Sequence, residues 1–135
     1  MSTIGKCLCG SIEVTCDKKP EEIIACYCSS CQMATGGIAT FNIVVSDADC
    51  RISKGTPKKF EEVADSGATL ERFFCGDCGS PIYSATPTFG GHLILKAGLF
   101  TDVDDLKIVT NIYTDSAPGW APRDKSLPEH GKMPG

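Results

Sequence analysis

Cysteine dominates the chemistry available to this chain. Seven of its nine cysteines fall in three tight groups, Cys7-Leu8-Cys9, Cys26-Tyr27-Cys28-Ser29-Ser30-Cys31 and Cys75-Gly76-Asp77-Cys78. Thiolates one or two residues apart suit a soft, tetrahedral ion such as Zn²⁺. The two doublets together supply four ligands, Cys7, Cys9, Cys75 and Cys78, and close one site. The triplet, Cys26, Cys28 and Cys31, supplies three and leaves a coordination position open. Closed zinc sites hold folds together, and open ones do chemistry. The expectation is two zinc ions per chain, one structural and one catalytic.

Ligand type narrows that chemistry. Three thiolates leave a divalent zinc centre formally anionic and a poor Lewis acid for water, which is why hydrolytic sites favour neutral histidine. Such a centre still binds an incoming thiol and holds it as thiolate. Sulfur chemistry is therefore expected over hydrolysis. Two rival readings stay open. Cys28 and Cys31 have redox-pair spacing, although no βαβ pattern surrounds them. His92 or His130 would make the triplet a second structural site by adding a fourth ligand, although neither lies in a ligand-spaced motif. Tyr27 and Thr35 are candidate proton donors, with packing or solvation as their plainer roles. Gly36-Gly37 either ends a helix or admits a substrate backbone.

The closed site makes demands on the backbone. In Cys75-Gly76-Asp77-Cys78-Gly79 the two glycines tolerate the φ > 0 conformations such a turn needs, which lets N–H groups face the sulfurs. On a flat strand the Cβ atoms of residues i and i+2 stand roughly 6.5–7 Å apart. Sulfurs sharing a tetrahedral zinc must approach to roughly 3.8 Å, so the chain has to bend across Leu8 to Gly10. Joining the doublets ties the start of the chain to its middle, a useful restraint on a thin core. Cys16 and Cys50 stand outside the groups and read as small core residues.

The elements that must position these groups are short. Ile12 to Cys16 alternates apolar and polar residues, the period of a half-buried strand. Residues 38–45, 58–63, 69–75, 92–99 and 107–113 have strand composition, separated by turn residues such as Lys54-Gly55-Thr56-Pro57 and Asp65-Ser66-Gly67. Ser29 to Thr35 alone reads as helix, with Ser29 or Ser30 as its cap. From Ala117 onward four prolines predict an irregular tail. The fold class is all-β with little helix, and residues 1–135 form a single domain by length.

Composition sets outer limits. Hydrophobic and charged fractions of 41% and 22% are those of an ordinary globular protein, and a net charge of −4 without a basic run argues against nucleic acid. The longest apolar runs are too short for a bilayer, and no apolar signal region follows Met1. The expected location is the cytosol, where clustered cysteines bind metal more often than they form disulfides.

The order CxCG, CxCxxC, then CxxCG after Phe73-Phe74, followed by Asp115-Ser116-Ala117-Pro118-Gly119-Trp120, resembles the glutathione-dependent formaldehyde-activating enzyme family, which includes centromere protein V. The resemblance spans nearly the whole chain. It implies a β-tent fold of short antiparallel strands, a structural zinc on Cys7, Cys9, Cys75 and Cys78, and a catalytic zinc on Cys26, Cys28 and Cys31. It also implies a carbon–sulfur lyase or synthase acting on a small thiol adduct, such as glutathione joined to formaldehyde in S-hydroxymethylglutathione. The alternative is a non-catalytic zinc module that binds a protein partner. Family members commonly read Cys-His-Cys-x-x-Cys-Arg-Lys, and this chain carries Tyr27, Gln32 and Met33 there. Weak affinity for glutathione is the expected consequence of losing that basic pair.

Overall fold

Polar–apolar alternation recurs along the chain, and the computed structural model, which describes residues 2–134, contains eleven strands of two to seven residues. The first four are β1 (Thr3–Lys6), β2 (Glu13–Cys16), β3 (Glu22–Cys26) and, after the helix α1 (Ser29–Thr35), β4 (Thr40–Ser46). There follow β5 (Cys50–Lys54), β6 (Lys58–Val63), β7 (Thr69–Phe74), β8 (Pro81–Ala85), β9 (His92–Lys96), β10 (Lys107–Ile112) and β11 (Glu129–His130). Three 3-10 turns, Pro87–Phe89, Ala97–Leu99 and Thr114–Ser116, link the later strands. The fold is mostly β with little helix.

Two sheets form. A small antiparallel sheet has the order β1-β2-β5, and a large one runs β11-β10-β3-β4-β9-β8-β7-β6. Strand β10 lies parallel to β3 and to β11, and the other pairings are antiparallel. The main core contains Ile12, Val14, Cys16 and Cys50 together with Ile43, Ile82 and Leu95, and Leu99, Phe100 and Val103 join it from the segment after β9. Gly5 permits the approach of that segment, since a Cβ there would stand 3.0 Å from the Phe100 ring.

Several expectations need correction. Strands β1, β3, β5, β8 and β11 lie in segments not read as strands, and β9 gives way at Ala97 to a 3-10 turn. The tail is partly ordered. Asn111 donates to the Asp124 carbonyl at 3.0 Å and to Glu129 at 3.1 Å, and Arg123 pairs with Glu129 at 2.7 Å, which seats β11 beside β10. Cys16 and Cys50 do belong to the core, but they form a disulfide with their Cα atoms 4.2 Å apart. The register explains the pairing, because Cys16 and Cys50 stand directly opposite each other across β2 and β5. No helix among the described residues is long and apolar enough to cross a membrane.

Candidate functional site

The two cysteine groupings expected from spacing are the two groupings that the fold assembles. The sulfurs of Cys7, Cys9, Cys75 and Cys78 lie within 4.8 Å of one another, as do those of Cys26, Cys28 and Cys31. No fourth histidine, cysteine, aspartate or glutamate joins the triplet among the described residues, and His92 and His130 belong to neither group. The Nδ1 of His92 instead lies 3.2 Å from the Gly90 carbonyl.

The four-cysteine group is built from two turns. Past β1 the chain bends as expected, with Gly10 at φ 80° and its N–H donating to the Cys7 carbonyl at 3.1 Å. The Cys9 sulfur then stands 3.7 Å from those of Cys7 and Cys75, close to the spacing of ligands on one tetrahedral zinc. Past β7, Gly79 has φ 78°, but Gly76 does not enter the left-handed region. Gly76 is required for space: a Cβ there would meet Lys58 Cε at 2.8 Å. Donors surround the sulfurs. Ile12 N–H donates to Cys7 at 3.2 Å, and the Ser80 hydroxyl lies 3.1 Å from the Cys78 sulfur. The Ser80 hydroxyl and nearby backbone N–H groups bring Cys78 down to about 5, and the Cys78 N–H lowers Cys75.

The triplet sits where β3 runs into α1. Cys26 ends the strand, and Cys28, not Ser29 or Ser30, caps the helix by accepting the Cys31 N–H at 3.2 Å. Cys31 lies in the first turn, its sulfur 3.5 Å from that of Cys26. Gly36 closes the helix by donating to the Gln32 carbonyl at 2.8 Å. Strands β3 and β4 on either side are antiparallel, so α1 is not the crossover of a parallel βαβ unit. Contact with Cys26 and Cys28 holds Cys31 far below the usual thiol range, with the Arg72 guanidinium assisting, and the same contacts push Cys26 up. Nη2 of Arg72 approaches the Cys31 sulfur to 3.9 Å while donating to Glu62 at 2.8 Å.

Next to the triplet is a cavity of about 180 Å³ whose lining includes Thr35, Thr40, Phe60, Arg72, Ser84 and Lys96. Burial pushes Lys96 down to about 8, and its amine donates to Asn42 Oδ1 at 2.9 Å. Thr35 lines the cavity, but its hydroxyl donates to the Cys31 carbonyl at 2.9 Å. Tyr27 packs among Ala25 and Ala39, in a cluster separate from the three sulfurs. Gln32 Nε2 donates to the carbonyls of Tyr27 at 2.8 Å and Ser116 at 3.0 Å, which fastens the ligand loop to the segment after β10.

Sequence reasoning missed Arg72, Lys96 and Tyr113. The two cations reach the triplet from strands distant in sequence, and no local spacing marks them. Tyr113 packs against the cluster of Cys26, Cys31 and Ile112 and is the one non-glycine residue at positive φ, 56°, among those described. Such conformations cost about 1–3 kcal/mol and concentrate at functional sites.

A crystal structure of a Rhodobacter sphaeroides protein, solved as a structural genomics target, is similar in fold with a TM-score of 0.57. It is 15% identical, covering 96% of this chain and 99% of that one. The model of a family described as glutathione-dependent formaldehyde-activating enzyme matches residues 2–116, a span that contains both cysteine groups. The chain belongs to that family.

Proposed function

We propose that this chain, one domain over residues 1–135, is a zinc-dependent carbon–sulfur lyase or synthase acting on a small thiol adduct of the S-hydroxymethylglutathione type. The observation that carries the reading is the triplet: three converging sulfurs, no fourth protein ligand among the described residues, and a cavity alongside. The donor sets suit the metal. Within each group the sulfurs lie within 4.8 Å of one another, compatible with thiolate ligation of one ion, and N–H or hydroxyl donors lie beside the sulfurs of Cys7, Cys28 and Cys78. Cys7, Cys9, Cys75 and Cys78 would hold a structural zinc that closes a β-tent, and Cys26, Cys28 and Cys31 would hold a catalytic one. When bound there, the ion supplies an open position for a substrate sulfur and lowers that thiol's pKa.

The protein's own groups do the remainder. In the synthetic direction the thiolate attacks the aldehyde carbon, a C–S bond forms, and the former carbonyl oxygen takes up a proton. In the lytic direction the same oxygen loses its proton as the C–S bond breaks. Arg72 beside Cys31 offsets the negative charge that accumulates with the substrate thiolate. Thr40 stands directly across from Cys26, its buried hydroxyl near enough to Cys31 to help lower that thiol, and would hold the adduct oxygen. The decisive test uses cobalt in place of zinc. Adding small thiols should intensify the thiolate-to-cobalt bands and release a proton. A metal-loaded triplet that responds to no thiol would overturn the enzyme reading and favour a non-catalytic binding module.

A further inference from the structure

The register of the large sheet places a set of polar side chains on one face. Cys26 stands opposite Thr40, and Asn42, two residues further along β4, stands opposite Lys96. Ile94, two residues before Lys96, stands opposite Ser84, which in turn faces Arg72 across β7. Directly opposed residues, and residues two apart on one strand, share a sheet face. The face that begins at the triplet with Cys26 therefore carries Thr40, Asn42, Lys96, Ser84 and Arg72 in turn. Thr40, Lys96, Ser84 and Arg72 line the cavity.

Donors outnumber acceptors there. Arg72 uses Nε and Nη2 on Glu62 Oε1, and Nη1 has no acceptor among the described residues. The Lys96 ammonium spends one N–H on Asn42, which leaves two. The Ser84 hydroxyl is buried, 3% exposed, without a hydrogen-bond partner. Arg72 has a carboxylate partner in Glu62, whereas among the described residues Lys96 donates to a neutral amide and has the triplet cysteines as its nearby negative charge. A buried cation whose hydrogen-bond partner is a neutral amide, next to an orphan hydroxyl, suits an acceptor-only anion, and a carboxylate is the smallest organic group of that kind.

We propose that the thiol taken by the triplet site carries a carboxylate, received by Lys96, Arg72 and Ser84, and is the size of a three-carbon mercapto acid. This rests on the reading of the triplet as a thiol-binding centre. Size sets the upper bound. A cavity of 150 Å³ holds about six non-hydrogen atoms, the size of benzene, and this one measures about 180 Å³. A mercaptopropionate fills such a space, whereas a tripeptide thiol inserts only its cysteinyl part. The cations come from β7 and β9, so the site has positive charge despite Gln32 and Met33.

The test compares 3-mercaptopropionate, 2-mercaptoethanol, cysteamine and glutathione on the cobalt-substituted protein. Thiol-free propionate is followed on the zinc-loaded protein by the NMR signals of Lys96 and Ser84. Mercaptopropionate should bind at least about ten-fold more tightly than mercaptoethanol, as one charge-assisted contact predicts. Glutathione should bind no more tightly than mercaptopropionate, and propionate should shift the Lys96 and Ser84 signals without altering the cobalt spectrum. Lys96→Met should abolish the preference, lowering mercaptopropionate affinity by at least about ten-fold and mercaptoethanol affinity by far less. Ser84→Ala, checked for folding by circular dichroism, should weaken mercaptopropionate alone. Equal affinity for anionic and neutral thiols would overturn the inference and leave Lys96 as a counter-charge to the cysteines. So would a preference that survives Lys96→Met, or glutathione binding more than ten-fold tighter. If no thiol binds but propionate still shifts Lys96, the lyase reading fails and the carboxylate site stands. If neither binds, both fail.

Discussion

The two cysteine groups differ less in their ligands than in what surrounds them. The doublets sit on turns at the ends of β1 and β7, tying residues 66 positions apart. Their neighbours are Ser11, Ser80 and backbone N–H groups, which engage sulfur directly. The triplet instead lies beside a cavity lined by a guanidinium and an ammonium with N–H groups to spare and by the buried Ser84 hydroxyl, which has no partner among the described residues. One group has its hydrogen-bonding needs met from within the chain, and the other leaves donors for something from outside. That contrast separates a tie from a site more firmly than a ligand count does.

The largest effect should come from breaking the tie. On the proposed reading of the doublets as a structural zinc site, Cys75→Ser or Cys78→Ser would remove one of four thiolates from a centre whose metal free energy is folding free energy, so a loss of several kcal/mol is expected. Soluble yield and thermal unfolding would show it. Cys28→Ser should leave the fold largely intact, because serine preserves the helix cap. Its metal affinity at the triplet should fall by at least the about 10- to 100-fold typical of losing an outer-shell partner. If Cys28→Ser unfolds the chain as thoroughly as Cys75→Ser, the contrast collapses and the triplet is structural.

The Cys16–Cys50 disulfide belongs to the same tied half, since it joins β2 to β5 in the small sheet. Its closed loop of 34 residues implies about 3–4 kcal/mol on chain-entropy grounds. Replacing both cysteines by alanine should lower the melting temperature without changing thiol binding at the triplet. A fall in thiol affinity comparable to that of Lys96→Met would show that the two halves are coupled.

Metal removal sharpens the contrast more gently. On the proposed two-zinc reading, a mild chelator should withdraw one equivalent with circular dichroism unchanged, because a triplet centre would have an open position through which ligands exchange. A stronger chelator should take the second equivalent and unfold the chain. Simultaneous loss of both ions would contradict the division.

Much of this was legible because cysteine spacing is local information. The CxC and CxxC groups, the bend at Gly10 and the helix over Ser29–Thr35 all follow from neighbouring residues. What failed was non-local. Nothing near Arg72 or Lys96 marks them as neighbours of Cys31, since sheet register alone brings them there. The Cys16–Cys50 pairing likewise depends on β2 lying beside β5. Strand β8 opens on Pro81, which a strand tolerates at its first residue. Strand β11 was missed because four prolines masked a two-residue bridge that the Asn111, Arg123 and Glu129 contacts hold in place.

The smallest expected effect concerns Gln32, where the family commonly carries a basic residue. On sequence alone, Gln32→Arg should restore charge for an anionic substrate. The structure redirects that expectation, because the Gln32 amide is spent on the Tyr27 and Ser116 carbonyls and is absent from the cavity lining. An arginine there has donors for the same two carbonyls and would direct its charge to them. Mercaptopropionate affinity should therefore change by less than about three-fold, under 1 kcal/mol, far less than for Lys96→Met. Gln32→Leu should cost about 1–2 kcal/mol in stability, since two carbonyls lose their donor. Titration of both variants with mercaptopropionate, alongside thermal unfolding, decides the matter. A ten-fold gain from Gln32→Arg would place the carboxylate on the helix side of the triplet and remove Lys96 from its recognition.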